Sequence, residues 1–166
     1  MKSILPLLLL SLISSTYAAE SKAENKEKPK TVEVTVAQLL DEPAKYSSKS
    51  VSITGYWIRG FEWSYFSESE GGTTSDIWVG NFLAPARSPI EAQLKSAYVA
   101  TGMEWPRGNI RVSITCEGLF EYRDFKFDET KMGSGFGHLG HYHSQISISK
   151  ITTIKVLPDL EFAGPR

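Results

Sequence analysis

The sequence predicts a mainly β fold in which five strands close into a barrel around one core. Apolar and polar residues alternate from Val51 to Trp57 and again from Ile110 to Cys116, which is the period of a half-buried strand. One segment between these runs changes to the period of a helix, and turn-forming residues separate the remaining apolar runs. The part of the chain that follows the N-terminal segments is large enough for a single core.

A short helix and a first strand open the predicted domain. Thr35 and Gln38 have the spacing of a capping box, so a helix is expected to start there and to end before Pro43, which cannot continue it. The alternation from Val51 to Trp57 then predicts the first barrel strand. Gly55 interrupts this strand, as expected where a strand must bend or bulge to close a barrel.

Two further strands precede the main helix. The aromatic run 61–66 indicates the second strand, the glycines at 71 and 72 a turn, and the apolar run 76–82 the third strand. Ser88 as N-cap, Pro89 at the first helical position and a capping-box glutamate then predict a helix that Gly102 ends.

The last part of the domain returns to strand patterning. Residues 110–122 predict the fourth strand, residues 133–140 a glycine-rich loop, and residues 146–157 the fifth strand. Three strands, one helix and two strands, preceded by a short helix, is the topology of the OB-fold, a five-stranded Greek-key barrel. The competing architecture is a small open sandwich.

The N-terminus has the order of a secretory signal. Lys2 provides a positive start, an apolar stretch follows from Ile4 to Ile13, and small residues lead to Ala18. The apolar stretch is about half as long as a membrane span, so a retained anchor is the less favoured alternative. We therefore expect a signal peptide over residues 1–18, a flexible charged leader over 19–31, and an OB-like β-barrel domain over 32–162. The expected location is periplasmic or secreted, with no transmembrane anchor after cleavage.

The charge of the chain bears on its binding partners, and its cysteine content bears on disulfide formation. The full chain has a net charge of −1, and its basic residues are dispersed, so we expect no nucleic-acid partner. Its single cysteine, Cys116, has no internal disulfide partner. The position of Cys116 in an alternating strand predicts a small buried side chain rather than a reactive thiol.

Two short stretches resemble a known group of proteins. Residues 40–46, followed by the segment 49–55, and residues 137–142 are similar to elements of small bacterial exported OB-fold proteins of the tRNA-anticodon-binding-like type. This resemblance implies the fold and an exported location, but no known activity. The chain departs from the pattern at Ser48, where glycine is usual, so the turn there is expected to be strained or differently shaped.

All three histidines of the chain lie within six positions, at His138, His141 and His143. Imidazole is the commonest metal ligand, and two of these rings would share a face in a regular strand, so the cluster suggests a weak Zn, Cu or Ni site. A zinc site usually draws ligands from distant segments. The alternative is that His138 bonds to backbone in a turn while the other two lie on the surface, and otherwise we expect no cofactor.

The aromatic run suggests a binding surface. Arg59, Phe61, Trp63 and Tyr65 lie on the strands that OB-folds use for ligands, where rings can stack on bases or sugars. Trp57 and Trp78 are instead expected in the core. No nucleophile elbow, phosphate loop or zinc-protease motif is present. The sequence thus predicts a non-catalytic binding or interaction module for a saccharide or an envelope protein, with a transition-metal-binding protein as the alternative.

Overall fold

The computed structural model describes residues 30–60, 62–72, 77–80, 89–106, 109–126 and 134–158. The predicted signal peptide, nearly all of the predicted leader and the last residues of the predicted domain lie outside these ranges, as do Phe61 and Ser88. Among the described helices, none has the length and apolar character needed to span a bilayer.

The secondary structure is dominated by strands, as the sequence predicts. In chain order the elements are β1 (Val32–Val34), α1 (Val36–Asp41), α2 (Pro43–Tyr46), β2 (Lys49–Arg59), β3 (Ser64–Ser67), β4 (Ile77–Val79), α3 (Pro89–Ala100), β5 (Ile110–Tyr122) and β6 (Ser144–Val156). A 3-10 turn, His138–Gly140, precedes β6.

Five strands close into a barrel. β2 pairs antiparallel with β3, β3 with β4, β5 with β6, and β5 with β2, while β4 and β6 pair in parallel. The strand order is that of an OB-type barrel, and α3 stands between its third and fourth strands. The closed-barrel prediction is therefore confirmed over the open sandwich.

β1 was not predicted, because three residues are too few to show an alternation. It pairs in parallel with Val51–Ile53, the half of β2 that β3 does not reach.

The predicted capping box is confirmed, and it begins α1. The backbone N–H of Gln38 donates to Thr35 Oγ1 at 3.1 Å, and that of Thr35 donates to Gln38 Oε1 at 2.9 Å. α1 ends before Pro43, as predicted, but Pro43 then takes the first position of α2. α2 packs against β5, so these two helices stand at the barrel end where β2 begins.

The predicted interruption of the first strand at Gly55 is wrong. β2 keeps one register with β5 through Gly55, and the register shifts lie instead in the β5–β6 ladder, at Thr115/Cys116 and Glu117/Gly118. Glycine is needed for a different reason. A Cβ at this position would lie 2.5 Å from Phe66 Cε1 and 2.6 Å from the Ser67 carbonyl oxygen, both on β3. The side chain is absent because β3 approaches the backbone of β2 so closely.

The core fills the barrel from alternate strand positions. Trp57 is buried in it, as predicted, and its Nε1 donates to Ser64 Oγ at 2.9 Å. From the opposite barrel end, α3 adds Leu94 and Tyr98. Cys116 is fully buried, which confirms the prediction of a small buried side chain, and desolvation raises the pKa of its thiol to about 12.

Candidate functional site

One row of side chains crosses the outer face of the barrel. Trp57, Phe66 and Ile77 belong to the core, so their strand neighbours point outward. The pairing register sets these neighbours opposite one another on five strands. We call them the outer row: Arg111, Ile58, Tyr65, Trp78 and Gln145.

The connection between β5 and β6 covers one end of the outer row. The ring of Trp78 lies 5.2 Å from that of Tyr142, and a Cβ at Gly137 would approach the Trp78 indole to 2.6 Å. Phe136 is buried beside them and bridges to Tyr142. Trp78 is therefore buried, as predicted, but it packs outside the barrel rather than in the central cluster, because it alternates with inward-facing Ile77 and Val79.

Trp63 and Tyr65 form the middle of the site. Their rings are 5.6 Å apart, and Trp63 lies over Gly60, where a Cβ would come within 2.2 Å of the indole. Tyr65 is buried and lies against Gly72. Trp63 is partly exposed. The two predicted ligand residues thus form one pair of tilted rings, in which Trp63 is the partly exposed member and Tyr65 the buried one.

Arg59 faces the opposite side of the sheet from the outer row. It is paired with Ser64 and Ile110, one position along from the outer row and of opposite facing. Burial lowers the pKa of its guanidinium, and the charge of Glu91 in α3 opposes that shift. Arg59 therefore belongs to the barrel end that α3 covers, and Phe61 lies outside the described residues.

Arg111 is the residue of the site that sequence reasoning missed. Its side chain is only 3% exposed. Nη2 donates to the Glu70 carbonyl oxygen at 2.7 Å and lies 3.4 Å from Glu70 Oε1, whereas Nε and Nη1 have no hydrogen-bond partner within the part of the chain that the structure describes. In sequence, Arg111 is a polar residue at an outward position of an alternating strand, which is the pattern of an exposed arginine.

The three histidines precede β6, and the structure describes the side chains of two of them. His141 and His143 precede β6 and are exposed, and the side chain of His138 lies outside the described residues. The ring of His143 stacks on Phe125 at 4.2 Å, and its Nδ1 lies 3.3 Å from the Arg123 carbonyl oxygen.

Across the described ranges, no three His, Cys, Asp or Glu side chains are placed to hold a metal ion. The metal site remains a prediction.

No family model, curated protein sequence or solved structure matches this chain. A functional hypothesis must therefore be built on the outer row and its neighbours.

Proposed function

We propose that this protein is an exported, non-catalytic binding module whose ligand surface is the outer face around Trp63 and Tyr65. The observation that carries the proposal is the partly exposed Trp63 ring, which lies over Gly60 and contacts the ring of buried Tyr65 at an interplanar angle of 32°. A rigid, supported indole provides apolar contact area at low entropic cost. Export is the expectation from the N-terminal sequence.

A saccharide is the favoured ligand. The apolar C–H face of a sugar ring fits a flat indole, and the hydroxyls of the sugar need donors and acceptors at its edge. The net charge of −1 on the chain disfavours the phosphate backbone of nucleic acid. An envelope protein that uses the same indole as an anchor is the alternative partner.

The test is a titration of the mature protein with peptidoglycan fragments and neutral oligosaccharides, followed by the Trp63→Ala variant. We expect the affinity for the bound saccharide to fall about tenfold, since a stacked aromatic contact contributes roughly 1–3 kcal/mol. Trp63→Phe should retain most of the affinity because a flat ring remains.

Trp105→Ala is the matched control. Trp105 is also half-buried, but it packs against the core and against Tyr98 after α3, with ring centroids 5.5 Å apart, and is not itself part of the outer row. An equal loss in both variants would reflect altered stability rather than a lost contact. If Trp63→Ala leaves the affinity for every bound saccharide and envelope protein unchanged, the proposed surface is wrong.

A further inference from the structure

The Arg111 guanidinium is buried with part of its hydrogen-bonding capacity unused. Its Nε and Nη1 are inaccessible and have no partner in the described residues, although a guanidinium carries five N–H donors. Leaving such donors unpaired away from water is costly, and a buried charge is normally paired. The arrangement therefore calls for an acceptor that the described part of the chain does not supply.

The Glu70 carboxylate is a poor acceptor for the Arg111 guanidinium. It lies 3.4 Å from Arg111 Nη2, and the Glu70 side chain is 42% exposed. A contact of this length and exposure is a weak ion pair. The backbone carbonyl oxygen of Glu70 makes the shorter contact, at 2.7 Å, and so holds the guanidinium in place independently of the carboxylate. The Glu70 carboxylate can leave while the arginine stays oriented.

We propose that Arg111 receives a carboxylate of the bound ligand, and that the Glu70 carboxylate occupies this position in competition with it. The inference rests on the proposed function and specifies its ligand as an acidic, carboxylated saccharide. A single guanidinium matches the charge and planar geometry of one carboxylate, and the site already accommodates a carboxylate.

The position of Arg111 fits the same ligand surface. Arg111 and Tyr65 flank Ile58 in the pairing register, so the two backbones lie about 10 Å apart across the sheet. The turn that carries Glu70 also contacts both, because Gly72 lies against Tyr65. A ligand stacked on Trp63 therefore lies on the same side of the barrel as the Glu70 turn. Arg111 is buried in this structure, and displacement of the Glu70 side chain is the step that would open it to that ligand.

The experiment compares sodium glucuronate with glucose as probes of the mature protein. Glu70→Gln removes the competing charge and should raise the affinity for glucuronate about three- to tenfold, with no change for glucose. Arg111→Gln should lower the glucuronate affinity on the order of tenfold or more. Glucuronate should also shift the ¹H–¹⁵N resonance of Arg111 Nε in the unsubstituted protein, a readout that does not depend on the folding of an Arg111 variant.

Glu117→Gln is the matched control. Glu117 forms an exposed ion pair with Lys150 at 2.8 Å, on the β5–β6 ladder, so its neutralisation changes the net charge equally without touching Arg111. If Glu70→Gln and Glu117→Gln affect glucuronate affinity alike, or if saturating glucuronate leaves the Arg111 Nε resonance unmoved, the proposal is overturned.

The two proposals fail separately. If neutral saccharides bind in a way that depends on Trp63, but Glu70→Gln leaves the glucuronate affinity unchanged, the proposed binding surface stands and the carboxylate site is rejected. Glucuronate binding that responds to Glu70→Gln, with no saccharide dependent on Trp63, would support the carboxylate site and reject the stacking surface.

Discussion

Ser48 has a strained backbone conformation. It joins α2 to β2 with a φ of 63°, in the left-handed region where a side chain is disfavoured. Its backbone N–H donates to the Phe120 carbonyl oxygen at 2.8 Å, so the start of β2 and the end of β5 hold it there. A strained or differently shaped turn was expected at Ser48, and the backbone there has the conformation that glycine would adopt freely.

Ser48→Gly is expected to stabilise the protein by up to about 1 kcal/mol, because it removes the left-handed penalty from an exposed residue. Urea unfolding measures the change. Ser52→Gly, within the extended part of β2, is the matched substitution and should destabilise by about 0.5–1 kcal/mol. Equal effects of the two substitutions would contradict the assignment of strain to Ser48.

At the scale of elements, β2 organises the sheet. It pairs with β5 along its whole length, with β1 along its first half and with β3 along its second half. Local alternation predicted the strand but suggested an interruption at Gly55. The need for glycine arises from β3, a neighbour whose position the alternation of β2 cannot encode.

Gly55→Ala is expected to destabilise the protein by roughly 1–3 kcal/mol, the usual cost of overpacking. One of the atoms that a Cβ would meet is the Ser67 carbonyl oxygen, which belongs to the backbone and cannot rotate away. Gly71→Ala is the control, since no atom lies within 4 Å of a Cβ there. Thermal unfolding of both variants checks the prediction, and a Gly55→Ala protein as stable as Gly71→Ala would contradict it.

At the scale of the whole molecule, the thiol of Cys116 in the barrel core can be used to follow unfolding. Cys116 is fully buried in the β5 wall, paired with Ile53 on one side and Ile151 on the other. α1 and α2 close one end of the barrel, and α3 the other. A thiol at this depth becomes accessible to solvent when the barrel opens.

The stability of the whole protein should therefore depend on pH through Cys116. Folding raises the pKa of this thiol to about 12, against roughly 8.5 when unfolded. The unfolded chain loses the proton first, so the contribution of the protonated thiol is fully present below about pH 8.5 and is lost as the pH rises towards 12.

The measurement is the difference in the free energy of unfolding between the wild type and Cys116→Ala. We expect this difference to be constant from pH 6 to pH 8. At pH 10 the wild type should have lost about 2 kcal/mol of stability relative to Cys116→Ala. The alanine variant cancels the other groups that titrate in this range. A difference that stays constant to pH 10 would show that the thiol is not held protonated by the fold.

Local patterns were sufficient to predict much of this protein. The capping box at Thr35, the helix from Pro89 that stops at Gly102 and the alternation of β5 each depend on residues a few positions apart, and these interactions persist in the fold. The order of strands and helices then leaves few ways to close a small sheet.

Register and closure decided the rest. They turn Arg59 to the opposite face of the sheet from Tyr65, place Trp78 on the outside of the barrel and bury Arg111 beside Glu70, a residue 41 positions away. A strand period shows that a side chain points away from the core, but not what later covers it. Only the pairing of distant strands turns an ordinary outward arginine into a buried cation with unpaired donors.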